Sequence, residues 1–215
     1  MADRDTALIT LDEILVADPP QAWRSAGFTV DDDTCRIGTV RIRLVGREAG
    51  SGIVGWSLRG LPADHPGTLD GVTTTRSVTD PGTGATHPNG VVEIDHVVLL
   101  SPDLARTTAA LGAVGVLPRR ERDGELGGTA VRQVFFRFGP VVVEVVGSPD
   151  ATSDDPSSLW GLTHVVADID AAAVLLGDAT SPVKDAVQPG RRITTLRHRD
   201  LGMSVRTALI SPVVR

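Results

Sequence analysis

Three polar side chains stand inside aliphatic stretches of this sequence, where a chemical role or a buried hydrogen bond would keep them. His96 lies in Glu93-Ile94-Asp95-His96-Val97-Val98-Leu99-Leu100 and His164 in Leu162-Thr163-His164-Val165-Val166. Glu144 interrupts the valines of Val141-Val142-Val143-Glu144-Val145-Val146. An imidazole among apolar neighbours can ligate a metal or carry a proton, but a hydrogen-bonded core histidine leaves the same trace. A carboxylate in a valine run is costly to bury alone, so it calls for a metal or a cation such as Arg132 or Arg137.

The elements that must position these residues are legible from periodicity and punctuation. Glu93 to Leu100 reads as a strand on which Ile94, His96, Val98 and Leu100 share one face. Ser101 is the expected N-cap of a following helix, with Pro102 in its first position and Asp103 in its first turn. That helix runs out at Gly112 or Gly115. Leu117 to Arg122, Val131 to Phe138 and Val141 to Val146 read as strands, the first two joined by a turn at 124–128 and the last two by Gly139-Pro140. A second round begins at Leu162, with Asp168 capping a helix from Ile169 to Leu176 that Gly177 ends. Its further strands are Val183 to Ala186, Ile193 to Arg197 and Met203 to Ile210.

Two copies of one pattern are therefore present, Asp95-His96-Val97-Val98 matching Thr163-His164-Val165-Val166, each opening a β-α-β-β-β unit. Upstream, Ala7 to Val16, a short helix through Trp23, Thr39 to Val45 and Gly52 to Leu58 look like a more diverged third copy, in which Glu13 takes the histidine's place. Residues 62–91 are rich in Gly, Pro and Thr without periodicity and read as a linker. The expected organisation is thus 1–61 as a diverged module, 62–91 as linker, and 92–213 as a domain of two modules, 92–149 and 159–213.

Composition narrows the function. A chain of 215 residues, 41% hydrophobic, can bury a substantial core. A formal net charge of -6, with no basic patch interleaved with aromatics, argues against nucleic-acid binding. No apolar segment nears the roughly 18 residues of a membrane span. Met1-Ala2-Asp3-Arg4-Asp5 does not open a signal peptide, so a soluble, cytoplasmic protein is expected. Cys35 is the sole cysteine, which excludes an intrachain disulfide and a thiolate zinc site; it reads as a free thiol in a polar turn. His65, His87 and His198 read as surface residues, Trp23, Trp56 and Trp160 as packing residues, and Lys184, Arg191 and Arg192 as solvated turn charges.

Paired β-α-β-β-β units with a histidine on each first strand resemble the vicinal oxygen chelate superfamily, which includes glyoxalase I, methylmalonyl-CoA epimerase, extradiol dioxygenases and bleomycin-resistance proteins. Asp95-His96-Val97-Val98, Arg132-Gln133-Val134-Phe135-Phe136-Arg137 and Val143-Glu144-Val145-Val146 look like the glyoxalase-like members. The resemblance implies an α+β fold in which paired modules curl into a cupped mixed sheet around a divalent ion. It places metal ligands at His96, Glu144 and His164, and Thr207 where a fourth would stand. Two imidazoles and a carboxylate suit Zn, Ni, Mn, Fe or Co. On this likeness Glu144 doubles as the candidate catalytic base of a lyase, isomerase or epimerase acting on vicinal oxygens. The absence of tyrosine argues against ring-cleaving dioxygenase chemistry. Thr207 and the diverged first module favour the other reading, a non-catalytic small-molecule binder of the bleomycin-resistance type that works without metal. The partner expected under either reading is a small molecule, with homodimerisation common in the superfamily.

Overall fold

The structure is a computed structural model describing residues 8–126 and 128–213, without the side chain of Leu126. Residues 1–7 and Gly127, which the sequence reading touches, lie outside the described residues.

Strands and helices recur in one order. The chain opens with β1 (Thr10–Val16), α1 (Pro20–Ser25), β2 (Thr34–Ile37) and β3 (Val40–Leu44). A shortened round without a helix follows, in β4 (Ile53–Arg59), β5 (Thr68–Leu69) and β6 (Val72–Ser77). The third comprises β7 (Val91–Leu100), α2 (Leu104–Ala113), β8 (Arg120–Leu126), β9 (Thr129–Phe138) and β10 (Val141–Gly147). The last is β11 (Ser158–Val166), α3 (Ile169–Leu176), β12 (Lys184–Asp185), β13 (Arg192–Thr195) and β14 (Arg206–Ile210). The closing strand returns parallel to the opening one in β1/β3, β4/β6 and β11/β14, and the strand before it runs antiparallel in each case. This is an α+β fold of repeated βαβββ-type units forming cupped mixed sheets.

Two compact units cut across these repeats. The first holds Met1–Asp12, Gly55–Asp80 and Val98–Leu159, and the second Glu13–Val54, Pro81–Val97 and Trp160–Arg215. In the first, strands lie in the orders β1-β4-β6-β5 and β7-β10-β9-β8. Val134, Phe136 and Phe138 of β9 and Val141, Val143 and Val145 of β10 are buried, while the residues between them are half-buried or exposed. That alternation gives the sheet one core face and one open face. Leu104, Thr107 and Leu111 are the buried residues of α2, which packs on β10.

In the second unit the orders are β2-β3-β1-β4 and β12-β13-β14-β11-β7. Its core gathers Ile14, Trp23, Ile37, Ile42, Leu162, Val166, Ile169 and Leu209. Among the described residues, no helix is long and apolar enough to cross a membrane.

Local chemistry explains several departures from the sequence reading. The segment 62–91 is not bare linker, because it carries β5 and β6. Leu69 pairs with Val72 across Asp70-Gly71, both at positive φ (49° and 84°), the two-residue hairpin turn that Asp-Gly favours. The Asp70 carboxylate then accepts bonds from Arg106 Nε (2.6 Å), Thr107 Oγ1 and Ser157 Oγ, fastening the hairpin to α2. Asp103, rather than Ser101, is the N-cap of α2; its side chain accepts the Arg106 N–H, and Ser101 Oγ accepts the Asp103 N–H. On β7 the buried residues are Val91, Ile94, Val97 and Leu99, so the alternation slips between Ile94 and Val97. Ile94 therefore faces the core, and only His96, Val98 and Leu100 keep the expected common face.

Cys35 belongs to β2, not to a turn, and is fully buried. Burial pushes its thiol up to about 12. Native protein is accordingly expected to resist a thiol reagent at pH 8 and to react once unfolded in urea; rapid labelling of the native chain would contradict this placement.

Candidate functional site

His164 sits on β11 with no exposed surface, and neither ring nitrogen has a hydrogen-bond partner. Its ring meets Phe28 at 5.4 Å between centroids and 64°, and Trp23 at 6.4 Å and 85°. These aromatics are themselves fixed. Trp23 donates its indole N–H to Asp18 Oδ2 (3.1 Å), and Phe28 stacks edgewise on His87 at 5.7 Å. His87, expected at the surface, is buried: its Nδ1 accepts the Thr29 N–H (3.0 Å), which leaves Nε2 to donate to the Arg36 carbonyl (3.0 Å). Gly27 permits this packing, since a Cβ there would stand 2.9 Å from Asn89 Cβ and its φ is +77°. Burial, with smaller contributions from the charges of His87 and His96, lowers the His164 pKa to about 3. This imidazole is neutral and enclosed by aromatic rings.

Asp18 anchors that enclosure. Its carboxylate is wholly buried and also takes the backbone N–H (2.7 Å) and Oγ–H (2.6 Å) of Ser204 and an ion pair from Arg47 (2.9 Å). Ser204 Oγ in turn accepts the Gly52 N–H at 2.7 Å.

His96 lies where β7 changes phase, which turns it beside its neighbour Asp95. Its Nδ1 is 2.8 Å from Asp95 Oδ2, and Arg191, only 6% exposed, places Nη2 2.7 Å from Asp95 Oδ1. Arg191 is thus a buried partner rather than a solvated turn charge, held by its Nε–H to the Ser211 carbonyl (2.8 Å). Desolvation raises the Asp95 pKa, but the bonds from His96 and Arg191 outweigh it and hold this carboxyl below its usual range.

Glu144 occupies the open face of β10. It accepts from Gln133 Nε2, and Gln133 Oε1 accepts Arg122 Nε–H at 2.8 Å, so a polar row runs across β8, β9 and β10. Beside it lie the half-buried Val142, Val146 and Phe135, with the Arg120 guanidinium 4.5 Å over the Phe135 ring. Thr207 is buried on β14 and donates to the Val205 carbonyl (3.2 Å). Glu13 is held by Arg43 (3.0 Å) and by Arg41 (3.5 Å).

Among the described residues, no three or more His, Cys, Asp or Glu side chains are grouped to hold a metal ion. His164 has aromatic rings beside it and no hydrogen-bond partner for either ring nitrogen.

No family model matches the sequence, and no curated protein is similar enough to match. Solved structures do match in shape. A mutant of 4-hydroxymandelate synthase from Streptomyces coelicolor superimposes with a TM-score of 0.61 at 18% identity, over 96% of this chain and 93% of that one. A catechol 2,3-dioxygenase matches with a TM-score of 0.54 at 12% identity, over 95% and 87%. The chain has the vicinal oxygen chelate fold. A fusion of a xylose isomerase-like TIM barrel with 4-hydroxyphenylpyruvate dioxygenase agrees, at TM-score 0.62 and 14% identity, over 98% of this chain and 49% of that one. At these identities the likeness is one of fold, and function rests on this chain's own residues.

Sequence reasoning missed three participants. Arg191 and His87 were assigned to the surface because they lie beside Gly and Pro turns, yet each completes a buried hydrogen-bonding position. Asp18 precedes Pro19, the N-cap of α1, and its burial follows from contacts distant in sequence, which local signals do not show.

Proposed function

We propose that this protein is a small-molecule binder of the vicinal oxygen chelate fold that holds its ligand through side chains, without a divalent ion at His96, Glu144 and His164. The observation that carries the reading is the environment of His164. A metal-ligating imidazole directs one nitrogen at the ion and donates the other N–H to an outer partner. Here neither nitrogen meets an outer acceptor of that kind, and Trp23 and Phe28 pack against the ring. The open face of β8, β9 and β10 supports the binding half of the reading, since Phe135, Val142 and Val146 beside Gln133, Glu144 and Arg120 combine apolar area with convergent polar groups.

The reading it displaces is the metal-dependent lyase, isomerase or epimerase with Glu144 as base, which needs His164 as a ligand. A thermal test separates them. A metal present at about 100 times its Kd would stabilise the folded chain by roughly 2.7 kcal/mol. Unfolding midpoints measured with EDTA and with added Zn, Ni, Mn or Fe are expected to coincide. A rise of several degrees with one of these ions, absent in His164→Leu, would overturn the proposal.

A further inference from the structure

A cleft of about 430 Å³ in the first unit is lined by Leu8, Ile9, Gly115, Val116, Leu117, Pro118, Arg119 and Arg137. Its volume falls in the range of small-molecule sites, roughly 300–1,000 Å³. Ile9 and Val116 are buried, while Leu8 and Leu117 are 69% and 68% exposed, a large apolar area for two residues facing one depression. The segment that forms it is fixed at both ends. Val116 N–H bonds to the Leu111 carbonyl (3.0 Å) at the end of α2, and Arg119 N–H bonds to the Phe135 carbonyl (2.8 Å) on β9. The far side is set by the approach of Thr10 to the β9–β10 turn, where a Cβ on Gly139 would meet Thr10 Cγ2 at 2.9 Å.

The two arginines are the informative feature. Three basic side chains of this unit pair with acids, Arg59 with Asp12, Arg106 with Asp70 and Arg132 with Asp123, while Arg76, Arg120 and Arg122 are held by the Leu61 carbonyl, the Phe135 ring and Gln133 Oε1. Arg119 makes no side-chain hydrogen bond or ion pair among the described residues, and Arg137 only touches the Pro140 carbonyl (3.3 Å). In an acidic protein of net charge -6, two guanidiniums with no carboxylate partner among the described residues, on the rim of a cleft that also presents apolar side chains, are set for an anion that brings its own apolar body. The end of α2 beside Gly115 carries the negative pole of the helix, so the charged group belongs at the arginine end and the apolar body along Val116, Leu117, Leu8 and Ile9.

We propose that this cleft is a ligand site distinct from the open face of β8, β9 and β10, and that it takes a small monocarboxylate with an aliphatic or aromatic body, its carboxylate between Arg119 and Arg137. This rests on the reading of the protein as a small-molecule binder and names the ligand class and place. Titration calorimetry with octanoate, its neutral counterpart octanol, and acetate tests it on the full chain. Octanoate is expected to bind at least about tenfold more tightly than either, because only it uses both the cations and the apolar wall. Arg119→Gln with Arg137→Gln should bring octanoate to the level of octanol while leaving octanol unchanged. Leu117→Glu should weaken both. These residues are at the surface, so the variants are expected to fold.

No octanoate binding up to about 10 mM, or binding unaffected by the double variant, would overturn the site. Repeating the titration with EDTA separates this inference from the metal-free reading. Octanoate binding lost to EDTA but not to the double variant would sink both. Octanoate binding lost to the double variant in protein that proves to contain metal would keep the cleft and sink only the metal-free reading.

Discussion

Asp18→Ala is expected to destabilise the protein by about 2–5 kcal/mol, because it leaves buried donors without their acceptor. The size follows from what the carboxylate serves. It receives the Trp23 indole, both donors of Ser204 and the Arg47 guanidinium, and it has no exposed surface. Alanine leaves at least the indole and one backbone N–H buried without acceptors, a cost of about 1–3 kcal/mol for each such group. Asp18→Asn keeps the shape and one acceptor, so a smaller loss is expected. Urea unfolding followed by tryptophan fluorescence measures both. A loss below about 1 kcal/mol for the alanine variant would mean that Asp18 does not hold this corner together.

The second large effect is an acid limb set by His164. Burial holds its folded pKa near 3, from an ordinary value of 6.5. Above pH 6.5 the imidazole is neutral in folded and unfolded chains alike, and the fold keeps its full stability. As pH falls from 6.5 toward 3, the unfolded chain takes up a proton that the folded chain refuses, so stability is lost across that window. At 1.36 kcal/mol per unit the loss is on the order of 4–5 kcal/mol. Asp95 adds to the decline at lower pH, because its lowered folded pKa contributes stability that vanishes as the group is protonated. The comparison with His164→Leu isolates the imidazole. That variant is expected to be as stable as the parent or more so at pH 7, since it removes two unsatisfied buried nitrogens. Its stability should then fall far less between pH 6.5 and 4. Superimposable acid limbs for the two proteins would contradict the burial of a neutral imidazole here.

The repeats were legible because they rest on local signals. Asp168 as cap and Gly177 as stop for α3, the Gly139-Pro140 turn, and the alternating or valine-rich runs of β9 and β10 all stand where the sequence places them. The β5–β6 hairpin was read as linker, although Asp70-Gly71 followed by Val72-Thr73-Thr74-Thr75 carried its turn signal. Its Gly, Pro and Thr surroundings masked a strand whose partners lie elsewhere in the chain. The face of His96 was not legible, because the alternation slips inside β7, where Asp95 pairs with Arg191, nearly a hundred residues away. Nor was the setting of His164. Its strand pattern is that of a ligand-bearing strand in the superfamily, and only the aromatics of α1 and the segment after it, brought in by Asp18 and His87, make it an interior residue. Arg119 and Arg137 carry no signal in sequence, since an unpaired guanidinium is defined by the acids that are not near it.

The central claim, that the ligand is held without a metal at the superfamily histidines, is tested most directly by elemental analysis. Untagged protein would be exposed in turn to Zn, Ni, Mn and Fe, freed of excess ion, and compared with His96→Ala and His164→Leu. The account predicts less than about a tenth of an ion per chain in all three proteins. About one ion per chain in the parent, lost in both variants, would contradict it and make this a metalloenzyme centre.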